Sequence, residues 1–445
     1  MTAETSRPGL TFDRWLPIFA LTFVDVLGLT IILPLLHLYA AVFGASPIEV
    51  LLTVAVFPLA QLIGVPVMGA LSDRFGRKPL LIISQVTTCI SFIMLGLAQS
   101  LTMVVVSRLV DGLFGANLAT AQAAMADITD DSTRAQGLGV TGAAFGFGFL
   151  IGPAIAIAAL EAVDSLALPA FIAAAYSFIS ILITVFAFKE TLPPERRGQG
   201  TSVARSPLAA FGLMRDRRFT ALLVLLFAQQ VVFFGFEATL GLFTLNRAGM
   251  LGQANALMFV WVGLLLVGVQ ARGIGKLARR YGARNLMLIA LAALALGLFL
   301  LALTPQQAHP FYITRIAERE IASLAPTATE TVIGSLQVPL PPDTNRGLGA
   351  VVWLVVGVVP IALGAGLIRP AINTIITRRA GEARYGQSLG ASAAMVSLAN
   401  AAAPLLAGVL FQSFGATAPY MAGAVVMAVI AGAAAVLVRE PRTTA

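Results

Sequence analysis

Twelve long apolar runs govern what this chain can become. They lie at roughly 15–39, 50–71, 79–99, 101–125, 136–160, 166–188, 219–243, 254–274, 284–304, 350–377, 386–411 and 417–438. About 20 apolar residues in a helix span the hydrocarbon core of a bilayer. Lipid offers no partner for backbone N–H and C=O groups, so runs of this length form helices. Only 11% of the residues are charged, against roughly 25% in soluble domains. The chain reads as an all-α polytopic membrane protein, with the lipid bilayer as its first partner.

The basic residues set the topology. A net charge of +8 would suit a nucleic-acid partner if it formed one patch. Here the Lys and Arg residues sit in short loops, and no nucleic acid is expected. Most fall in every second loop; only Arg247, Arg315, Arg319 and Arg346 fall in the others. Arg108 and Arg369 lie inside runs. Positive loops stay in the cytoplasm, so both termini and the long connection 189–218 are expected there. No cleaved signal peptide is expected, because the first run is long enough to span and no Ala-x-Ala site follows a short apolar core. One cysteine, Cys89, excludes an internal disulfide. His37 and His309 are far apart, and no nucleophile–base set or phosphate loop stands out. Neither a metal, nor a cofactor, nor an enzymatic activity is expected.

The connection 189–218 carries Pro193, Pro194, Gly198 and Gly200 and divides the chain into 1–188, with six spans, and 219–445, with six more. The halves repeat. Gly69-Ala-Leu-Ser-Asp-Arg-Phe-Gly-Arg-Lys-Pro-Leu80 aligns with Gly275-Lys-Leu-Ala-Arg-Arg-Tyr-Gly-Ala-Arg-Asn-Leu286, 206 positions on. Leu138, Gly139 and Pro153 align with Leu389, Gly390 and Pro404, 251 positions on. The difference matches the length of the polar segment 305–349, which reads as an extracytoplasmic insertion in the second half. Ile313, Ile316, Ile321 and Leu324 mark one face of a short surface helix there.

Gly69, Asp73, Arg74, Gly76, Arg77 and Lys78 form a basic turn between the second and third runs. Its pattern, G-x-L-x-D-R-x-G-R-K-x-x-L, resembles the signature loop of the major facilitator superfamily. Three further stretches resemble that superfamily's twelve-span drug:proton antiporter branch, which includes tetracycline exporters. They are Asp25-Val-Leu-Gly28 with Pro34, Arg108-Leu-Val-Asp-Gly112 with Gly115, and Gly148-Phe-Leu-Ile-Gly152-Pro153. The family continues the last with paired glycines, where this chain has Ala154 to Ala156. The resemblance implies the major facilitator fold: two pseudo-symmetric six-helix bundles, working as a monomer in the bacterial inner membrane. It links Arg108 with proton coupling and Gly148, Gly152 and Pro153 with antiport. It also implies a conformational latch, in which Asp73 meets the eleventh span and Arg77 pairs with Asp127. Arg279 takes the acid's place in the second repeat, so the latch is expected in one half only.

Ionisable groups inside spans are costly and are functional candidates by default. Asp25 lies near the middle of the first run. Arg108 and Asp111, three apart, share one helix face. Glu237 lies in the seventh run. A carboxyl between burial, which favours its proton, and a nearby arginine, which opposes it, can exchange a proton as water access changes sides. Asp25, Arg108 and Glu237 are therefore the proton-coupling candidates. Asp111 with Gln61, Asn117, Gln122, Gln229, Gln230, Asn373 and Asn400 are candidates for the substrate cavity; some will serve only as interhelical hydrogen bonds.

These features point to a secondary transporter that rocks two bundles around a central site, exporting amphiphilic, drug-like organic solutes against protons. Uptake of a metabolite by symport or facilitated diffusion is the alternative transport reading, and a non-transporting receptor or scaffold is the alternative of another class. The topology is directly testable. With Cys89 replaced by Ala, an impermeant thiol reagent on intact cells should label Glu330→Cys and spare Gly200→Cys. The reverse pattern would overturn the assignment.

Overall fold

The computed structural model describes residues 12–32, 35, 36, 43, 45, 47–129, 134–163, 165–197, 217–272, 274–313, 340–342, 344–380 and 385–437. The centre of the 305–349 insertion with Ile316, Ile321 and Leu324, the linker beyond Arg197, His37, and both chain ends lie outside the described residues.

Thirteen α-helices form among the described residues. They are α1 (Phe12–Ile32), α2 (Pro47–Phe75), α3 (Arg77–Gly96), α4 (Leu101–Phe114), α5 (Asn117–Asp127), α6 (Arg134–Ala162) and α7 (Ala167–Phe186), then α8 (Arg217–Ala248), α9 (Gly252–Arg272), α10 (Ile274–Ala302), α11 (Gly349–Ala380), α12 (Tyr385–Phe414) and α13 (Ala418–Leu437). Ten helical segments are long and apolar enough to cross a membrane, with α4 and α5 counted as one, Leu101–Asp127. The apolar parts of α6 and α9, Gly146–Ala162 and Ala254–Val269, are shorter. Together they coincide with the twelve runs of the sequence. The protein is a multi-pass membrane protein. The sole strand-like feature among the described residues is an isolated bridge, Ala308 to Arg346.

Helices α1 to α7 pack among themselves, as do α8 to α13. Two extensive pairings, α2 with α12 and α6 with α9, and a slighter one, α2 with α8, join the groups among the described residues. Leu51 of α2 seats against Gly408 of α12, and Val267 of α9 against Gly146 of α6. Small residues at such crossings let backbones approach where no hydrophobic driving force separates protein from lipid.

The internal repeat is visible in the backbone. Gly76 ends the α2–α3 turn at φ 108°, and Gly282, its partner in the alignment, breaks α10 at φ 74°. Both values are open to glycine and costly for other residues. The residues two places on do equivalent work. Lys78 Nζ donates to the Val185 carbonyl at the end of α7, and Arg284 donates to the Ala435 carbonyl at the end of α13. Each cation meets the exposed carbonyls and negative dipole end of its group's last helix.

The base of the insertion is tied down at the opposite end of the molecule. Backbone N–H groups of Gln307 and His309 donate to the carbonyls of Arg247 and Ala248, closing it onto the end of α8. Ala308 N–H donates to the Asn345 carbonyl and Gly347 N–H to the Ala308 carbonyl, joining the two ends of the insertion. Burial holds the His309 imidazole below its ordinary pKa range, opposed by a hydrogen bond to the Gly249 backbone.

Helices α2 and α4 meet glycine against backbone. A Cβ on Gly64 would collide with the Leu113 carbonyl oxygen, and one on Gly112 with the Phe57 carbonyl oxygen. Neither backbone can yield without breaking a helix. Gly69, in the signature loop, has nothing within 4 Å of such an atom. Gly64→Ala should therefore cost about 1–3 kcal/mol through overpacking. Gly69→Ala should gain up to about 1 kcal/mol of helix propensity. Thermal unfolding of the two purified variants, compared with the parent, checks both signs.

Candidate functional site

The first structural need at the site is created by the chain itself. Span four is not one helix: α4 ends at Phe114 and α5 begins at Asn117. Broken backbone at membrane depth needs partners from the protein, and neighbouring helices supply them. Ser84 Oγ on α3 donates to the Phe114 carbonyl (2.5 Å) and accepts from the Ala116 N–H (2.9 Å). Gln61 Nε2 on α2 donates to the Gly115 carbonyl (3.2 Å). The break turns Asn117 toward α1, where Asn117 Nδ2 donates to Asp25 Oδ1 at 2.5 Å.

From Asp25 a continuous polar chain runs through the first group. Asn117 Nδ2 also lies 3.5 Å from Thr88 Oγ1 on α3. Thr88 Oγ1 donates to Asp111 Oδ1 at 2.8 Å. Asp111 Oδ2 faces Arg108 at 3.5 Å, and Arg108 reaches Ser91 Oγ at 3.4 Å. Its guanidinium also lies over the Phe92 ring, 5.4 Å from the centroid. Arg108, Asp111 and Asn117 are buried at 2%, 3% and 4% exposure, while Asp25 is half-buried. An ion pair buried this deeply is costly to break one member at a time. The chain therefore has one partly open end, at Asp25.

Glycines bring α6 against this end. A Cβ on Gly148 would stand 2.7 Å from Val26 Cγ1, and one on Gly152 would collide with Thr30 Oγ1. Thr30 Oγ1 donates to the Gly148 carbonyl at 2.8 Å. Gly148 and Gly152 thus form the surface on which α1 rests beside Asp25, with Pro153 the next residue inside the same helix.

The second group contributes a sparser set. Gln230 Nε2 donates to Asn400 Oδ1 at 2.8 Å, joining α8 to α12. Gln229 is buried with Oε1 lacking a partner. Glu237, two turns beyond Gln230 on α8, is half-buried and has no hydrogen bond or ion pair among the described residues. Gln122 is exposed, away from buried Asn117. The side chain of Asn373 lies outside the described residues.

The signature loop builds a second cluster. Arg77 donates to Asp73 Oδ1 (2.5 Å) and, through Nε, to Asp127 Oδ2 (2.9 Å). Ser72 Oγ and Thr191 Oγ1 complete the set. These groups come from α2, α3, the end of α5 and the start of the linker. Arg74 takes no part and lies over Phe75. The side chains of α12 nearest this loop lie outside the described residues.

Sequence reasoning passed over Glu190. Its carboxylate accepts from the backbone N–H groups of Arg77 (2.9 Å) and Lys78 (3.1 Å), and from Thr191 and Leu192 (both 3.0 Å). An anion at a helix N-terminus satisfies otherwise orphaned donors and meets the positive dipole end. Gly76 leaves the room, since a Cβ there would collide with Glu190 Oε2. The available signal was an acid directly after the sixth apolar run. Thr88 and Ser84 gave none, because Ser and Thr are common in spans. Replacing Glu190 by Ala should cost about 1 kcal/mol, up to about 2. It should speed amide exchange at Arg77 and Lys78, with Glu190→Gln intermediate. Unchanged exchange in Glu190→Ala would refute the anchoring role.

Comparison with known proteins places this geometry. Residues 18–317 and 332–445 match the model of the Major Facilitator Superfamily. The chain is 28% identical over 400 residues to the class C tetracycline resistance protein of Escherichia coli, covering 88% of each. It is 25% identical over 394 residues to multidrug resistance protein 1 of Bacillus subtilis (strain 168), covering 88% of this chain and 87% of the relative. Its fold is similar to the crystal structure of the human organic anion transporter MFSD10 (TETRAN). That match has a TM-score of 0.66 at 21% identity and covers 95% of this chain and 99% of the other.

Proposed function

The chain belongs to the Major Facilitator Superfamily, a family of transporters, and on that premise we propose that it exports amphiphilic, drug-like organic solutes in exchange for protons. Residues 1–188 and 219–445 act as two bundles rocking about a central site, with 189–218 and both termini in the cytoplasm. The names of the tetracycline and multidrug resistance relatives support the cargo class. One observation carries the coupling: Asp25 is the half-buried end of a hydrogen-bonded chain that terminates on the buried Arg108–Asp111 pair.

The mechanism follows from that arrangement. A proton on Asp25 removes the charge that Asn117 holds and changes what Asp111 and Arg108 feel along the chain. Glu237 supplies a second acid from the other bundle, with no protein cation beside it among the described residues. A solute bound between the bundles is then linked to proton occupancy of these acids, and the linkage is reciprocal. The Asp73–Arg77–Asp127 cluster, anchored by Glu190, holds the cytoplasmic ends of the first bundle as one piece. It presents Asp73 as the latch to the second bundle.

Proteoliposomes holding the purified protein, with an imposed pH gradient and tetracycline and ethidium as probes, test this. Asp25→Asn should lower uphill transport at least tenfold while probe binding persists. Arg108→Ala should weaken both, and Glu237→Gln should alter coupling or the preference between probes. Uphill transport at the parent rate in both Asp25→Asn and Glu237→Gln would exclude these carboxylates as the proton sites.

A further inference from the structure

The donors in the polar chain have a definite direction. Each hydrogen has one acceptor. Thr88 spends its hydroxyl hydrogen on Asp111, at 2.8 Å. Asn117 directs Nδ2 at Asp25 and lies with the same nitrogen 3.5 Å from Thr88 Oγ1. Donation thus runs outward from Asn117, to Asp25 on one side and through Thr88 to Asp111 on the other. This order suits an ionised Asp25, which can only accept.

It leaves one group unsatisfied. Asn117 is 4% exposed, and its Oδ1 has no hydrogen-bond partner. A buried amide oxygen without a donor is costly. The same oxygen is what a protonated Asp25 needs. A carboxylic acid carries one O–H donor, and Asn117 Oδ1 is the acceptor nearest at hand once the amide turns over.

We propose that Asn117 and Thr88 are positioning residues that relay the proton on Asp25 to the Arg108–Asp111 pair. With Asp25 ionised, the Asn117 amide donates to it and to Thr88, and Thr88 is held toward Asp111. When a proton from solution binds Asp25, the Asn117 amide reverses, and Oδ1 accepts the new O–H. The Asn117–Thr88 link is then lost, and Thr88 is free to leave Asp111. Arg108 becomes the remaining charged partner of Asp111, and their 3.5 Å separation leaves room to tighten. The charged groups that face this chain are Asp25 on α1 and Arg108 and Asp111 on α4. Among the described residues α3 adds neutral groups, Ser84, Thr88, Ser91 and the Phe92 ring, and α6 packs its glycines on Val26 and Thr30 of α1. The break at Gly115 makes the relay possible, because an unbroken span four would place residue 117 elsewhere around the helix.

The relay rests on the reading of Asp25 as a proton site, and one experiment separates the two. The infrared C=O band of a protonated carboxyl is followed against pH in the purified full-length protein, with Asp25→Asn identifying the Asp25 band. No substrate is needed. Thr88→Val keeps the shape of threonine and loses both hydrogen-bonding roles. It should move the half-development of the Asp25 band to higher pH by about one unit, because nothing then holds the amide as a donor. Asn117→Leu should move it further the same way, and Thr88→Ser should restore the parent curve. A parent curve with Thr88→Val and Asn117→Leu unmoved would overturn the relay and leave Asp25 as the proton site. Equal shifts in Thr88→Val and Thr88→Ser would also overturn it, since the methyl group and not the hydroxyl would matter. If no band in the parent disappears in Asp25→Asn, the proton-site reading falls first and the relay with it.

Discussion

The structure depends on one rule: within lipid, every backbone polar group needs a partner from the protein. Twelve apolar runs obey it by becoming helices. Among the described residues the break between α4 and α5 departs from it inside a span, and its repair organises the site. Ser84 and Gln61 are committed to the freed backbone groups at Phe114, Gly115 and Ala116. They lie on α3 and α2, so those helices are fixed against span four at that depth. The glycine contact at Gly64 and Gly112 then sets how close α2 and α4 can come. Asn117 reaches Asp25 only as a result of these placements.

A second constraint is the cost of isolated charge inside the membrane. In the first group it is met by pairing: Arg108 with Asp111, and Arg77 with Asp73 and Asp127. In the second group Glu237 has no such partner among the described residues. The halves share backbone design, as Gly76 and Gly282 and the caps from Lys78 and Arg284 show. They differ in charge chemistry.

Glu190 shows how the two clusters are joined mechanically. It fastens the linker's first residues to the N-terminus of α3. The same helix carries Arg77 at that end and Ser84, Thr88 and Ser91 along its length. One rigid element therefore touches the signature cluster, the broken span and the Asp25 chain. A tilt of α3 would be felt at all three.

The class of protein, the number of crossings, the internal repeat and the residues worth suspecting were all legible in the order of the amino acids. These follow from hydrophobic length, the spacing of motifs and the price of charge in lipid, all of which are local properties. Asp25, Arg108 and Asp111 stood out because a charge inside a span is conspicuous, and the Arg77–Asp127 pair because the signature loop resembles that of the family. What touches what was decided only in three dimensions. Asp25 meets Asn117 across 92 positions, and Arg77 meets Glu190 across 113. Thr88 became important because helix packing set its hydroxyl between an amide and a carboxylate, and no local pattern distinguishes it from other threonines in spans. Gln61, suspected as a cavity group, is occupied by the Gly115 carbonyl, and Asn117 owes its place to a helix break. Such pairings depend on how helices rotate and cross, and close packing against neighbours far along the chain sets that.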